Sequence, residues 1–146
     1  MSSLVSDGAL PFEPVYFEAG KTLQIHVQLG IRVLGNADAL TRAVDILLDN
    51  GCKYSREGST VTLELKQWGC RWCQLTVTSL GDTLSRQECR DIFKRFYRRD
   101  PSRSMNSSYG LGLSIARTIV SRHKGKLWLC SENGVNAFHI RLKTLR

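Results

Sequence analysis

Hydrophobic and polar positions follow two periods along this chain, and the points where one gives way to the other outline its elements. In "LQIHVQ", Leu23, Ile25 and Val27 alternate with polar neighbours, the pattern of a half-buried strand. "IRVL" (31–34), after Gly30, predicts a short second strand. In "GNADALTRAVDILLDNGCKYS" the period becomes helical: Asn36 suits an N-cap, and Leu40, Val44, Leu47 and Leu48 form one apolar stripe. "TVTLELK" (60–66) and "CQLTV" (73–77) alternate again and, joined by "QWGCRW", predict a β-hairpin. "SRQE" (85–88) has capping-box spacing and predicts a helix running through Cys89, Ile92, Phe93 and Phe96. A polar loop follows, long enough to suggest a functional lid. Gly110 and Gly112 then open a helix with Leu113, Ala116, Ile119 and Val120 on one face, ended by Gly125. "KLWLCSENGVNAFHIRLK" carries two alternating strands around the turn signal "ENG". Residues 4–19 have helical spacing interrupted by Pro11 and Pro14. The sum predicts an α+β fold: a two-layer α/β sandwich with a mostly antiparallel mixed sheet and helices on one face.

Composition narrows the class without naming a function. A length of 146 residues predicts one domain, and 42% hydrophobic with 23% charged residues is ordinary for a globular protein. No apolar run reaches the roughly 18 residues of a membrane-spanning helix, and "MSSLVSDGALPFEP" lacks the basic and apolar regions of a signal peptide. Five cysteines, an odd number, fit a reducing compartment. "CRWC" (70–73) has no second ligand pair, so structural cysteines outweigh a zinc site. The net charge of +8 fits nucleic acid, an anionic membrane or a polyphosphate; no stacking-platform or recognition-helix motif supports specific nucleic-acid binding. His26 and His139 alternate with inward-facing residues and should face solvent; His123 falls at a helix C-terminus, where positive charge is welcome.

Three segments carry chemistry. In "LLDNGCKYS" (47–55), Asn50 and Lys53 share a helix face; Asn50 offers a hard carbonyl oxygen suited to Mg²⁺, and Lys53 a point charge for a phosphate. Taken alone, the pair reads better as exposed surface near a helix end. In "YGLGLSIARTIVSRHKGKL" (109–127), glycines let backbone N–H groups approach a polyphosphate at a helix N-terminus, or merely turn the chain. In "IFKRFYR" (92–98), Phe93 and Phe96 are expected in the core at the base of the lid. These segments resemble, in order and spacing, the N box, second glycine box and F box of sensor histidine kinases in the GHKL ATPase superfamily, over roughly residues 20–143.

The resemblance implies a Bergerat-type sandwich and the catalytic, ATP-binding domain of a bacterial two-component signal-transduction kinase, with ATP and Mg²⁺ as ligands. It assigns Asn50, Lys53 and Arg98 to catalysis, Asn50 also to the metal. Nucleotide contacts fall on these and on Tyr54, Ser79, Gly81, Leu84, Tyr97, Gly110, Leu111, Gly112 and Leu113. Arg103 is a weaker candidate for the role of Arg98, at the γ-phosphate. Implied partners are the protein's own dimerisation and phosphoacceptor domain, outside this chain, and the receiver domain of a response regulator. The full-length protein is expected to be a homodimer and this piece a monomer. None of the three histidines stands in a phosphoacceptor context, so the chain is expected to be a fragment with an artificial Met1, the cytoplasmic part of a membrane-anchored kinase.

Three departures from the family pattern put catalytic vigour in question. "TSLGDTL" (78–84) stands where the first glycine box belongs, with Ser79 at its Asp, Gly81 and Thr83 at its glycines and Leu84 at its last position. Asp82 falls at a variable position of that box, Ile46 replaces a polar residue, and Lys124 replaces a glycine. The alternative reading is a degenerate module of the same fold, with weak or no ATP binding, that acts by protein docking.

Overall fold

The computed structural model describes residues 1–97 and 111–145. Its elements are α1 (Ser2–Ala9), α2 (Phe12–Glu18), β1 (Thr22–Val27), α3 (Ala37–Tyr54), β2 (Thr60–Trp68), β3 (Trp72–Leu80), α4 (Arg86–Asp91), α5 (Gly112–Arg122), β4 (Lys126–Glu132) and β5 (Val135–Lys143). The sheet has the order β1-β2-β3-β5-β4. Because β1 returns to β2 through α3, that pair is parallel, whereas the other pairs are antiparallel. Asn133 (φ 51°) and Gly134 (φ 78°) both adopt left-handed backbone between β4 and β5, the conformation a two-residue hairpin turn demands.

Alternation sorts the sheet into two unlike faces. One face presents Leu63, Leu75, Leu127 and Leu142 to the helices, all at most 2% exposed. Helix α3 answers with Leu40, Val44, Leu47 and Leu48, and α5 with Leu113, Ala116 and Val120. Asn36 caps α3 by accepting the Ala39 N–H at 2.9 Å, and at its other end Lys21 Nζ donates to the orphan carbonyls of Cys52 and Ser55. Tyr16, fully buried, donates its hydroxyl to Leu48 O, and a Cβ on Gly51 would lie 2.7 Å from that hydroxyl. A larger residue at position 51 would therefore expel Tyr16.

Several expectations needed revision. Residues 31–34 are not a strand, because their backbone groups are satisfied by the chain ends: Ile31 N–H donates to Ser2 Oγ (2.9 Å), and Arg32 O accepts from Leu145 N–H (2.8 Å). The capping box at Ser85 and Glu88 forms, but α4 stops at Asp91. Phe93 is buried against Phe138, whereas Phe96, at φ 63° and 69% exposed, is not core: past the helix end, the spacing that would pair it with Phe93 no longer applies. Helix α5 ends on Lys124 in the left-handed region (φ 58°), the residue expected to be a glycine in the family, while Gly125 serves close packing, since its Cβ would lie 2.5 Å from Arg141 O. His123 does not point freely into solvent: Nε2 accepts the Asn36 N–H at 3.0 Å and Nδ1 lies 2.8 Å from Ile119 O. His139 lies on the open face as expected, yet is half-buried, stacked on Trp128 and 3.0 Å from Thr76 Oγ1.

Lys124→Gly removes a left-handed strain of about 1 kcal/mol and should raise the urea midpoint at unchanged m-value. Burial first, then the nearby Arg141 and Lys66 charges, hold the His139 pKa below its ordinary 6.5. The unfolded chain then takes up the proton at higher pH than the folded one, so stability is lost as pH falls through that range. Asp45, its pKa raised by burial, contributes in the opposite sense. In thermal melts from about pH 7 to about pH 5, His139→Gln should therefore show a shallower fall in Tm than the native chain.

Candidate nucleotide site

The C-terminal half of α3 supplies the polar groups. Asn50 Nδ2 donates to the Ile46 carbonyl at 3.0 Å, which leaves Oδ1 as the end of the amide able to accept or coordinate. Position 46 thus serves through its backbone. Lys53 Nζ lies 3.0 Å from Asp49 Oδ2, with side chains 37% and 48% exposed. Tyr54, one residue on, is 62% exposed.

Helix α5 brings its N-terminus to the same place. The bond from Asn36 to His123 joins the start of α3 to the end of α5, so the packed pair runs antiparallel. At 11 residues α5 is about 16 Å long, and α3, at 18 residues, about 27 Å. The mouth of α5 therefore falls alongside α3 within about a turn of Asn50. Leu111 occupies the N-cap with no side-chain acceptor, Gly112 begins the helix and Leu113 is buried. The leading N–H groups of α5 consequently have no capping side chain from that residue.

The third wall is the segment after β3. Ser79 falls on the helix-facing side of β3, paired with Asn136 of β5. Arg56 N–H donates to Leu80 O at 2.7 Å, and a Cβ on Gly81 would lie 3.3 Å from Tyr54 O, so the end of α3 and residue 81 are in close contact. The β4–β5 hairpin holds this loop. Gly81 N–H donates to Gly134 O (2.8 Å), Gly134 N–H to Thr83 Oγ1 (2.7 Å), Asn136 Nδ2 to Asp82 O (3.0 Å) and Leu84 N–H to Ser131 Oγ (2.8 Å), while Ser131 Oγ donates to Asn136 Oδ1. Tyr97, within the F-box segment, is half-buried. Arg98, Arg103 and Gly110 lie outside the described residues.

Residues 35–146 match the model of the histidine kinase-, DNA gyrase B- and HSP90-like ATPases. The chain belongs to that ATPase family. Within it, the sensor protein DltS of Streptococcus agalactiae serotype V (strain ATCC BAA-611 / 2603 V/R) is 32% identical over 127 residues, covering 87% of this chain and 32% of DltS. The mycobacterial sensor histidine kinase MprB superposes with a TM-score of 0.81 at 26% identity, over 99% of this chain and 94% of that one. Histidine kinase ThkA, in a complex with response regulator TrrA, shares the fold with a TM-score of 0.82 at 17% identity, over 99% of this chain and 40% of that one. The chain is an ATP-binding catalytic domain of the sensor histidine kinase type, and it spans a third or less of the curated relatives it matches.

The residues present fit the family's ligand. Asn50 Oδ1 is a neutral oxygen donor, the N-terminus of α5, with no side-chain cap from Leu111, suits an anion, and a Cβ on Gly81 would crowd Tyr54 O at 3.3 Å. Sequence reading missed Lys21, Ser131 and Asn136, which shape the walls. Ser131 and Asn136 are a directly opposed pair flanking "ENG", so a polar cross-strand pair beside a predicted turn was the signal available. Asn136→Ala should speed hydrogen exchange at the Gly81 and Leu84 amides by at least about ten-fold, roughly the worth of one or two lost hydrogen bonds, with the central β2–β3 amides unchanged.

Proposed function

We propose that this domain binds Mg²⁺–ATP in the cleft between α3, α5 and residues 81–84, and transfers the γ-phosphoryl group to a histidine on a dimerisation domain outside this chain. The bond between the β,γ-bridging oxygen and the γ-phosphorus breaks as a histidine nitrogen bonds to that phosphorus, and ADP departs. What supports this reading is that Asn50 and Lys53 share the C-terminal half of α3, beside which the antiparallel packing brings the N-terminus of α5, where the N-cap residue Leu111 makes no side-chain cap. Bound Mg²⁺ would neutralise phosphate charge, and Asn50 Oδ1 would hold it. Lys53 exchanges its pair with Asp49 for a phosphate at little cost, since an exposed i,i+4 pair is worth about 0.3–0.5 kcal/mol.

Tyr54 packs on the adenine or ribose, Ser79 accepts from the adenine amino group, and Gly81 and Leu84 line the base. Leu111, Gly112 and Leu113 face the phosphates; Gly110, Tyr97 and Arg98 are assigned to the nucleotide by the family resemblance, Arg98 to steadying charge during transfer. By analogy with ThkA and TrrA, a receiver domain takes the phosphoryl group onward. The whole protein acts as a homodimer, with this domain itself monomeric. The domain lies on the cytoplasmic side of a sensor. Among the described residues no helix is long and apolar enough to cross a membrane.

Ser79 and Ile46 favour the second reading, a docking module. A neutral acceptor in place of a carboxylate at position 79 weakens a hydrogen bond by about 1 kcal/mol, several-fold in affinity, which slackens binding without abolishing it. Calorimetric titration with Mg²⁺–ADP separates the two. Saturable heat is expected, lost in Asn50→Ala and strengthened several-fold in Ser79→Asp, and Asn50→Ala should also abolish phosphorylation of a separately supplied dimerisation domain. Absence of heat from the native chain at millimolar nucleotide would leave the docking module standing instead.

A further inference from the structure

All three tryptophans of the chain lie on the sheet face that the helices leave open. Trp68 and Trp72 are cross-strand partners at the β2–β3 turn, 43% and 36% exposed, and Lys143 is the next partner in that row. The adjacent row holds Lys66, Gln74 and Arg141, and Arg71 sits in the turn itself. Glu64 pairs with Lys66 at 3.6 Å. Exposed indoles within a collar of cations are the chemistry of a bilayer interface, where Trp sits at headgroup level and Lys or Arg meets anionic lipid. We propose that this end of the open sheet face docks on an anionic phospholipid surface.

Two rival occupants fit less well. A peptide adding as a strand needs a free edge, but β2, β3 and β5 are interior strands whose backbones are already paired. Stacked nucleobases need open ring faces. Here the Arg141 guanidinium lies 4.9 Å from the Trp68 ring and 5.2 Å from that of Trp128, with Lys66 and Lys126 each 5.9 Å from one of those rings. A surface contact that reads charge and inserts ring edges needs neither. The patch also stands clear of the nucleotide cleft: β3 runs its 9 residues, about 26 Å, from Trp72 to the Leu80 end. Docking and nucleotide binding can therefore occur together.

The test is co-sedimentation of the full chain with phosphatidylcholine vesicles, with or without about a third of phosphatidylglycerol, at physiological salt. Binding to the anionic vesicles alone is expected, with a blue shift of tryptophan fluorescence. Arg71→Glu with Lys143→Glu should weaken binding by at least about ten-fold, and Trp68→Ala with Trp72→Ala should abolish most of the blue shift, both variants keeping the native circular dichroism spectrum. If a charge-reversed chain proves misfolded, Arg71→Gln with Lys143→Gln should still weaken binding several-fold. No sedimentation with anionic vesicles, equal binding by the charge-reversed chain, or tighter binding to single-stranded oligonucleotide or polyglutamate would overturn the proposal.

Discussion

The site depends on a bond at the opposite end of the helices that form it. His123, at the end of α5, accepts the backbone N–H of Asn36 at the start of α3. Gly35 makes this possible, because any Cβ there would overlap the imidazole. A single hydrogen bond of this kind is worth only about 1 kcal/mol, far less than the apolar burial between the two helices. Its importance is geometric. Burial sets that the helices pack, whereas the clasp fixes their axial register, so the shorter α5 ends beside the last turns of α3 and opens its positive terminus there.

The remaining wall is held by a different device. Residues 81–84 have no regular structure of their own, and a free loop would lose entropy on closing around a ligand. The β4–β5 turn removes much of that loss beforehand by bonding to both the backbone and side chains of the loop. This pre-organisation bears on Ser79. A neutral hydroxyl makes a weaker contact than a carboxylate, yet it stands next to a loop already ordered and opposite Asn136, itself part of the clamp. The departure at position 79 therefore falls on the strength of one contact, and the shape of the cleft does not rest on it.

The long-period elements were legible from the chain alone. The apolar stripe of α3, the Asn36 cap, the capping box of α4 and both antiparallel hairpins follow from side-chain spacing, which the backbone period reports directly. Where the reading failed, the cause was mostly a partner distant in sequence, and for Phe96 the early end of α4. "IRVL" has the composition of a strand, but the N- and C-terminal segments occupy its backbone. Phe96 has helical spacing from Phe93, but the helix ends before either. Lys124 and Gly125 exchanged roles, because the glycine is required by Arg141 O across the sheet and not by the helix end beside it. In the site, the residues bearing chemical groups could be named from motif spacing, whereas the clamp of Ser131 and Asn136 becomes visible only once β4 and β5 pair.

The open face completes the electrostatic picture. Charge on a solvated sheet is inexpensive when spread out, but here Lys66, Lys126 and Arg141 crowd around two indoles and a half-buried imidazole. Cation–π contact offsets part of the mutual repulsion, and Gln74 Oε1 takes one guanidinium N–H at 2.9 Å. The repulsion that remains is felt at His139, where Arg141 and Lys66 add to burial in keeping the ring neutral. An anionic surface brought against this face would screen those same cations and ease protonation of His139. Linkage then requires the converse: mild acid, by adding one more positive charge to the face, would strengthen its hold on the anion.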